Sequence, residues 1–253
     1  MDWLTGNLAS LATPENLLAL LTLTALEIVL GIDNIIFIAI LSAKLPADQQ
    51  DKARRVGLLA AMVMRILLLL GVGWISQLTE PWATFKIYHL EVALSGRNLI
   101  LIVGGLVLMA KSAREIYHKT EGAHDTGVTG KAATFAGVIA QIMLMDLVFS
   151  IDSVITAVGM AQSVLVMIIA VVLSVAVMMF FAGPISRFVD RRPSLKMLAL
   201  AFLLLIGFML IADGFGHHVP KGYIYFAMSF ALGVEILNMR TERKKAAAMG
   251  KAS

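Results

Sequence analysis

Seven blocks of apolar residues, at about 17–41, 57–78, 97–113, 133–158, 163–183, 197–213 and 223–239, run through this chain of 253 residues. A helix needs roughly 20 such residues to cross the bilayer core. The third and sixth blocks are short, and their flanking Arg97, Lys111, Lys196 and Asp213 can snorkel to the interface. A membrane barrel would show alternation instead of solid blocks. The sequence therefore predicts an all-α, polytopic membrane protein with seven transmembrane helices. Composition agrees: 59% of residues are hydrophobic and only 15% charged, against about half and about a quarter in soluble domains. Cysteine is absent, which excludes disulfides, iron–sulfur clusters and thiolate metal sites. The first residues, Met1-Asp2-Trp3-Leu4, carry no basic region and no small-residue cleavage site. The first block is expected to stay as a span.

Charge orients the spans. Lys44, Lys52, Arg54 and Arg55 fall in the first connection, and Lys111, Arg114, Lys119 and Lys131 in the third. Arg187, Arg191, Arg192 and Lys196 fall in the fifth, and Arg240, Arg243, Lys244, Lys245 and Lys251 in the tail. The opposite side has only Lys86, Arg97 and Lys221. Positive charge gathers on the cytoplasmic side, so the N-terminus is expected outside and the C-terminus in the cytoplasm. The net charge of +4 reads as loop charge of this kind, not as a nucleic-acid surface. The longest connections, around 79–96 and 114–132, leave no room for a second domain. Lys244-Lys245 reads as a solvated end, with lipid headgroups as the functional alternative.

The chain repeats itself. The stretch Leu26-Glu27-Ile28-Val29-Leu30-Gly31-Ile32-Asp33-Asn34-Ile35-Ile36 aligns with Met145-Asp146-Leu147-Val148-Phe149-Ser150-Ile151-Asp152-Ser153-Val154-Ile155. Glu27 matches Asp146, Asp33 matches Asp152, and Asn34 matches Ser153. Chance matches apolar residues easily in such a chain, but not two acids and a polar neighbour in mid-membrane. The motifs sit in spans one and four, which run in opposite directions. One integral membrane domain over 1–253 is expected. It holds an inverted repeat of two three-helix units, 17–113 and 133–213, joined by a cytoplasmic linker at 114–132, with one extra helix at 223–239. Transporters use this architecture, with the ion site near midplane.

An isolated acid at the centre of a span costs about 2.5–3.5 kcal/mol, so four imply roughly 10–14 kcal/mol without compensation. Protonation, mutual pairing or a bound cation must offset that. Arg65, in span two, neutralises at most one acid and reads as a structural counter-ion; Glu235, in span seven, adds to the deficit. Residues six apart lie about 120° around a helix and about 9 Å along it. Glu27 and Asp33 thus converge only if the helix breaks near Gly31, and Asp146 and Asp152 only if it breaks near Ser150. Otherwise the acids form two layers along a path. The candidate ligands, Glu27, Asp33, Asn34, Asp146, Asp152 and Ser153, offer only oxygen, which suits Mg²⁺, Ca²⁺ or Mn²⁺ over Zn²⁺ or Cu. Gln141, at i−5 from Asp146, is a weaker neighbour. His217-His218 reads as a solvated loop pair, the 15 Met residues as packing or lipid-facing, and Gly104-Gly105 and Gly207 as helix-packing points.

The twin motifs, Glu27-x5-Asp33-Asn34 and Asp146-x5-Asp152-Ser153, resemble the signatures of the TerC family of integral membrane proteins. Glu27 to Leu45, Gln141 to Gly159 and Val219 to Ala227 carry the likeness, which covers nearly the whole chain. The resemblance implies an exporter built from paired three-helix units, with manganese the favoured ion and the six motif residues as the metal site. It implies a bacterial inner-membrane location, no tightly bound cofactor, and a lipid bilayer and a divalent metal ion as partners, with a homo-oligomer left open. Some relatives carry extra soluble C-terminal domains, which are not expected here. Tellurite resistance is not expected to transfer, since the motif residues, acids and neutral oxygens, recognise no oxyanion.

Three alternatives stand beside divalent cation export. An exporter of a small organic cation or amino acid needs aromatic or apolar pocket residues, and near the motifs only Phe37 and Phe149 are aromatic. A non-transporting partner for metallation of secreted proteins would form a stable complex. An intramembrane protease needs a Gly-x-Gly-Asp motif with a Pro-Ala-Leu partner, and Gly31-Ile32-Asp33 is only a partial match, so no enzyme is expected. No phosphate-cradling Gly-rich Lys motif is visible, so gradients or another subunit must drive transport.

Overall fold

The computed structural model describes residues 13–71, 79–87, 90–121, 133–160, 163–217 and 219–249. Within them, the side chains at 32–33, 83–87, 90–94, 152, 159–160, 221 and 242–249 lie outside the description. Among the described residues there are seven long helices: α1 (Pro14–Ser42), α2 (Ala47–Leu70), α3 (Gly96–Thr120), α4 (Phe135–Met160), α5 (Val164–Asp190), α6 (Pro193–Gly214) and α7 (Lys221–Met249). The protein is all-α and polytopic. Local chemistry starts several helices. Thr13 caps α1, accepting from the Asn16 N–H at 3.4 Å, with Pro14 in the first turn. Ser95 caps α3, accepting from the Asn98 N–H at 3.1 Å, and Pro193 opens α6. A cap hydroxyl satisfies a backbone donor that the helix cannot, and proline at the start has no donor to lose.

Five stretches are long and apolar enough to cross a membrane: Pro14–Ser42, Phe135–Val158, Val164–Asp190, Pro193–Gly214 and Gly222–Thr241. α2 and α3 carry more charge: Lys52, Arg54, Arg55 and Arg65 lie on α2, and Arg97, Lys111, Arg114 and Lys119 on α3. This revises the boundaries. Basic residues expected in connections extend the helices beyond their apolar blocks, because Lys and Arg favour helix and a helix need not stop at the membrane surface. Arg187 is on α5, and the linker expected from 114 begins as helix through Thr120. The expected span at 57–78 is helix to Leu70; 72–78 lies outside the described residues. Of the long connection after it, two strands are described, β1 (Ala83–Ile87) and β2 (Leu90–Leu94), paired antiparallel with Ala83 opposite Leu94 and Ile87 opposite Leu90.

The two three-helix units interlock. α3 packs most heavily on α6, α1 on α5, and α2 on α4; contacts between units outweigh those within them. Exchanging α1 for α4, α2 for α5 and α3 for α6 turns the α1–α5 contact into α4–α2 and leaves α3–α6 in place. This is the symmetry the sequence repeat predicts. Glycine sets the α3–α6 approach. A Cβ on Gly105 would meet the Gly207 carbonyl oxygen at 2.6 Å, and one on Gly207 would meet the Gly105 oxygen at 2.9 Å. Further along, Gly214 faces the Asn98 carbonyl, so rising numbers on α6 meet falling numbers on α3 and the two helices are antiparallel. Small residues let membrane helices approach backbone to backbone. α7 stands outside, packed on α6 through Met209, Ile224 and Met228.

The polarity is inverted relative to a soluble protein. The interior of α1–α6 is built on Leu23, Leu41, Leu69, Leu101, Leu108, Ile142 and Leu200, each fully buried. The outer surface is apolar too: Phe180, Phe226 and Tyr223 are 74%, 72% and 71% exposed. Aromatic rings at that exposure match a lipid solvent. The charged residues Glu27, Arg65, Asp146 and Asp213 are instead inside.

Candidate ion site at the crossing of α1 and α4

α1 and α4 run unbroken through Gly31 and Ser150. No helix break therefore brings the two acidic positions of each motif together; along the unbroken backbone positions 27 and 33, and 146 and 152, fall in two layers about 120° apart around each helix. The first layer is described in full. Glu27 on α1 and Asp146 on α4 are each 4% exposed, and Arg65 of α2, 3% exposed, lies between them. Arg65 Nη2 donates to Asp146 Oδ1 at 2.7 Å, and its Nε lies 3.2 and 3.3 Å from the two carboxylate oxygens. Its Nη1 pairs with Glu27 Oε2. The planar fork of arginine suits two such acceptors at once.

Asp146 is held by three elements. Besides Arg65, Asn34 Nδ2 of α1 donates to Oδ1 at 3.2 Å and Ser150 Oγ donates to Oδ2 at 3.1 Å. The Asn34–Asp146 bond joins the polar position of one motif to the first acid of the other. Its counterpart by symmetry pairs Ser153 with Glu27, and these two line a common small cavity with Arg65. Ser153 Oγ itself donates to the Ser150 carbonyl at 3.2 Å. Thr24, one turn before Glu27, has a buried hydroxyl oxygen with no hydrogen-bond partner. A buried hydroxyl oxygen without a partner can serve as a ligand for a hard cation.

Of the six residues expected to form the site, Glu27, Asn34, Asp146 and Ser153 meet at this crossing. Asp33 and Asp152 follow on the same helices, but their side chains lie outside the described residues. Among the described residues no three acids or histidines gather closely enough to hold a metal ion; a guanidinium stands where the two first acids face each other. Burial favours that pairing, since a buried charge needs a partner.

Several residues differ from expectation. Gln141 is exposed and accepts from Lys111, away from Asp146. Asp213, read as an interfacial flank, is 6% exposed. It lines a cavity of about 70 Å³ with Arg65, Ser153, Phe149 and Tyr225, between α4, α6 and α7. Its place at the end of an apolar block hid this, because helix ends in sequence look solvated. Ser150, noted only as a point of weakness, is a direct partner of Asp146; its position at i+4 was the available signal. Glu235 is half-buried on the peripheral α7, and His217 is exposed; His218 lies outside the described residues.

Fold and site together define an integral membrane protein made of two interlocked three-helix units around a buried ionic centre. The chain belongs to the TerC family of integral membrane proteins, whose pattern matches residues 12–248. It is 52% identical over 236 residues to the UPF0053 inner membrane protein YgdQ of Escherichia coli K12, covering 93% of this chain and 98% of that one. A UPF0053 protein of Haemophilus influenzae is 51% identical over 92% of this chain and 97% of its own. The UPF0053 inner membrane protein YoaE of Escherichia coli K12 is 46% identical over 92% of this chain but only 44% of its own length. No solved structure matches the chain.

Proposed function

We propose that this protein exports a divalent metal cation, manganese above others, from the bacterial cytoplasm across the inner membrane. The observation that carries the reading is the shared centre, in which acids from both motifs meet around one arginine. Two carboxylates and one guanidinium leave the described centre one negative charge in excess. Asp33 and Asp152, one residue before Asn34 and Ser153, add up to two more. A mid-membrane excess of this size calls for a cation or protons. Arg65 pairs with both first acids; an ion entering between the halves would compete with it for their carboxylates and draw on the amide and hydroxyl oxygens beside them. Hard oxygen donors favour Mn²⁺, Mg²⁺ or Ca²⁺, and manganese is the ion that the motif resemblance favours. Protons returning as the acids titrate would balance charge. The N-terminus lies outside and the C-terminus in the cytoplasm, and no tightly bound cofactor and no enzyme chemistry are part of this reading.

The test is flux. Proteoliposomes holding the purified chain should show saturable Mn²⁺ movement, reduced at least tenfold by Glu27→Gln combined with Asp146→Asn. Equal flux in empty vesicles and wild-type vesicles rejects the reading. A second substrate class has one observation in its favour: the cavity beside Arg65 has apolar and aromatic walls, Phe149, Ile206 and Tyr225, with Asp213 among them. Those walls suit a small organic cation or amino acid. Competition of such compounds against Mn²⁺ flux separates the two.

A further inference from the structure

A polar cavity of about 210 Å³ lies away from the ionic centre, between the N-terminal turns of α2 and the C-terminal turns of α5. Asp51, Arg54, Arg55 and Arg187 line its polar side, and Leu58, Met179 and Phe180 its apolar side. Arg54 is 7% exposed and internally spent: it pairs with Asp51 and donates to Ser186 Oγ at 3.0 Å. That pairing, with Arg55 and Arg187 nearby, holds the Asp51 carboxyl below its usual range. Arg55 and Arg187 are exposed, and among the described residues neither has a carboxylate within ion-pair distance. Gly183 adds no side chain beneath Arg187; a Cβ there would lie 3.5 Å from Arg187 Nη1. Two exposed guanidinium groups, near Asp51 but with no described carboxylate at ion-pair distance, thus face a hollow whose wall turns apolar toward the exposed Phe180.

We propose that this cavity binds a phosphate group, with Arg55 and Arg187 as its ligands and Arg54–Asp51 as the fixed rear wall. Arginine forks match phosphate oxygens. Basic hollows between membrane helices, with apolar flanks, fit a phospholipid headgroup whose chains leave along the helix. The same chemistry accepts a free phosphate ester, and the two sources are separable.

The experiment uses the full chain in nanodiscs of neutral phosphatidylcholine. One arm adds phosphatidylglycerol to the bilayer, and the other adds glycerol phosphate to the solvent; thermal midpoint and bound lipid are read in each. Saturable stabilisation in either arm, weakened roughly tenfold or more in R55Q/R187Q and unchanged in the tail variant K244Q/K245Q, supports the site. The arm that carries it names the source. The tail variant removes equal charge elsewhere, so equal weakening in both variants overturns the proposal, as does the absence of stabilisation in both arms. Retention of Mn²⁺ behaviour in R55Q/R187Q keeps this result separate from the transport reading.

Discussion

Arg65 carries one positive charge against two buried carboxylates, so the three residues are unequal in what their loss does. Arg65→Met leaves Glu27 and Asp146 facing each other without compensation. Breaking a buried ion pair costs about 3–5 kcal/mol, and the detergent-solubilised protein should lose its folded peak on heating well below wild type. Glu27→Gln keeps the Arg65–Asp146 pair and should cost less. The triple change Arg65→Met, Glu27→Gln, Asp146→Asn removes all three charges and should restore most of the stability while abolishing flux. A stable Arg65→Met protein would show that the arginine is not the counter-ion. The acids were legible in the sequence because charge inside an apolar block is rare. Their bridging by Arg65 was not, since pairing with both halves depends on a helix crossing that no local pattern encodes. Asp213 was missed for the same reason: burial at a helix end is decided by its neighbours.

At the scale of elements, the α3–α6 contact depends on the absence of two side chains. Gly105→Val or Gly207→Val places carbons where backbone oxygens stand at 2.6 and 2.9 Å, and the helices must separate. Overpacking of this kind costs typically 1–3 kcal/mol. Gly233→Ala, where nothing lies within 4 Å of the added carbon, should leave the thermal midpoint unchanged. Equal effects at the three sites would contradict close packing as the reason for the first two glycines. The sequence marked Gly105 and Gly207 as packing points through their setting in apolar helices. It placed the ends of the helices poorly, because hydropathy reports where lipid begins, whereas helix continues through Arg187 and Thr120 on its own hydrogen bonds. Strands β1 and β2 carry a signal: Ala83-Thr84-Phe85-Lys86-Ile87 alternates strictly and Leu90-Glu91-Val92-Ala93-Leu94 nearly so, but a reading by apolar blocks passes over alternation in a connection.

At the scale of the whole molecule, the bias of Lys and Arg between connections predicts an orientation with the N-terminus outside and the C-terminus in the cytoplasm. A fluorescent protein fused after Ser253 should fluoresce in the cytoplasm. A phosphatase that folds only outside should be active when inserted between α4 and α5 and inactive between α5 and α6. The reverse pattern would overturn the orientation and with it the direction of export. The repeat was legible because its acids align in both halves; the packing of α1 on α5 and of α2 on α4 was not, because no local pattern encodes which helices cross. The most direct test of the central claim is cell manganese content in an exporter-deficient bacterium expressing this chain, beside Asp33→Asn and Asp152→Asn proteins that still insert. The wild-type chain should lower cell manganese and relieve manganese toxicity, and neither variant should. Unchanged manganese with all three proteins would contradict manganese export through the paired acids.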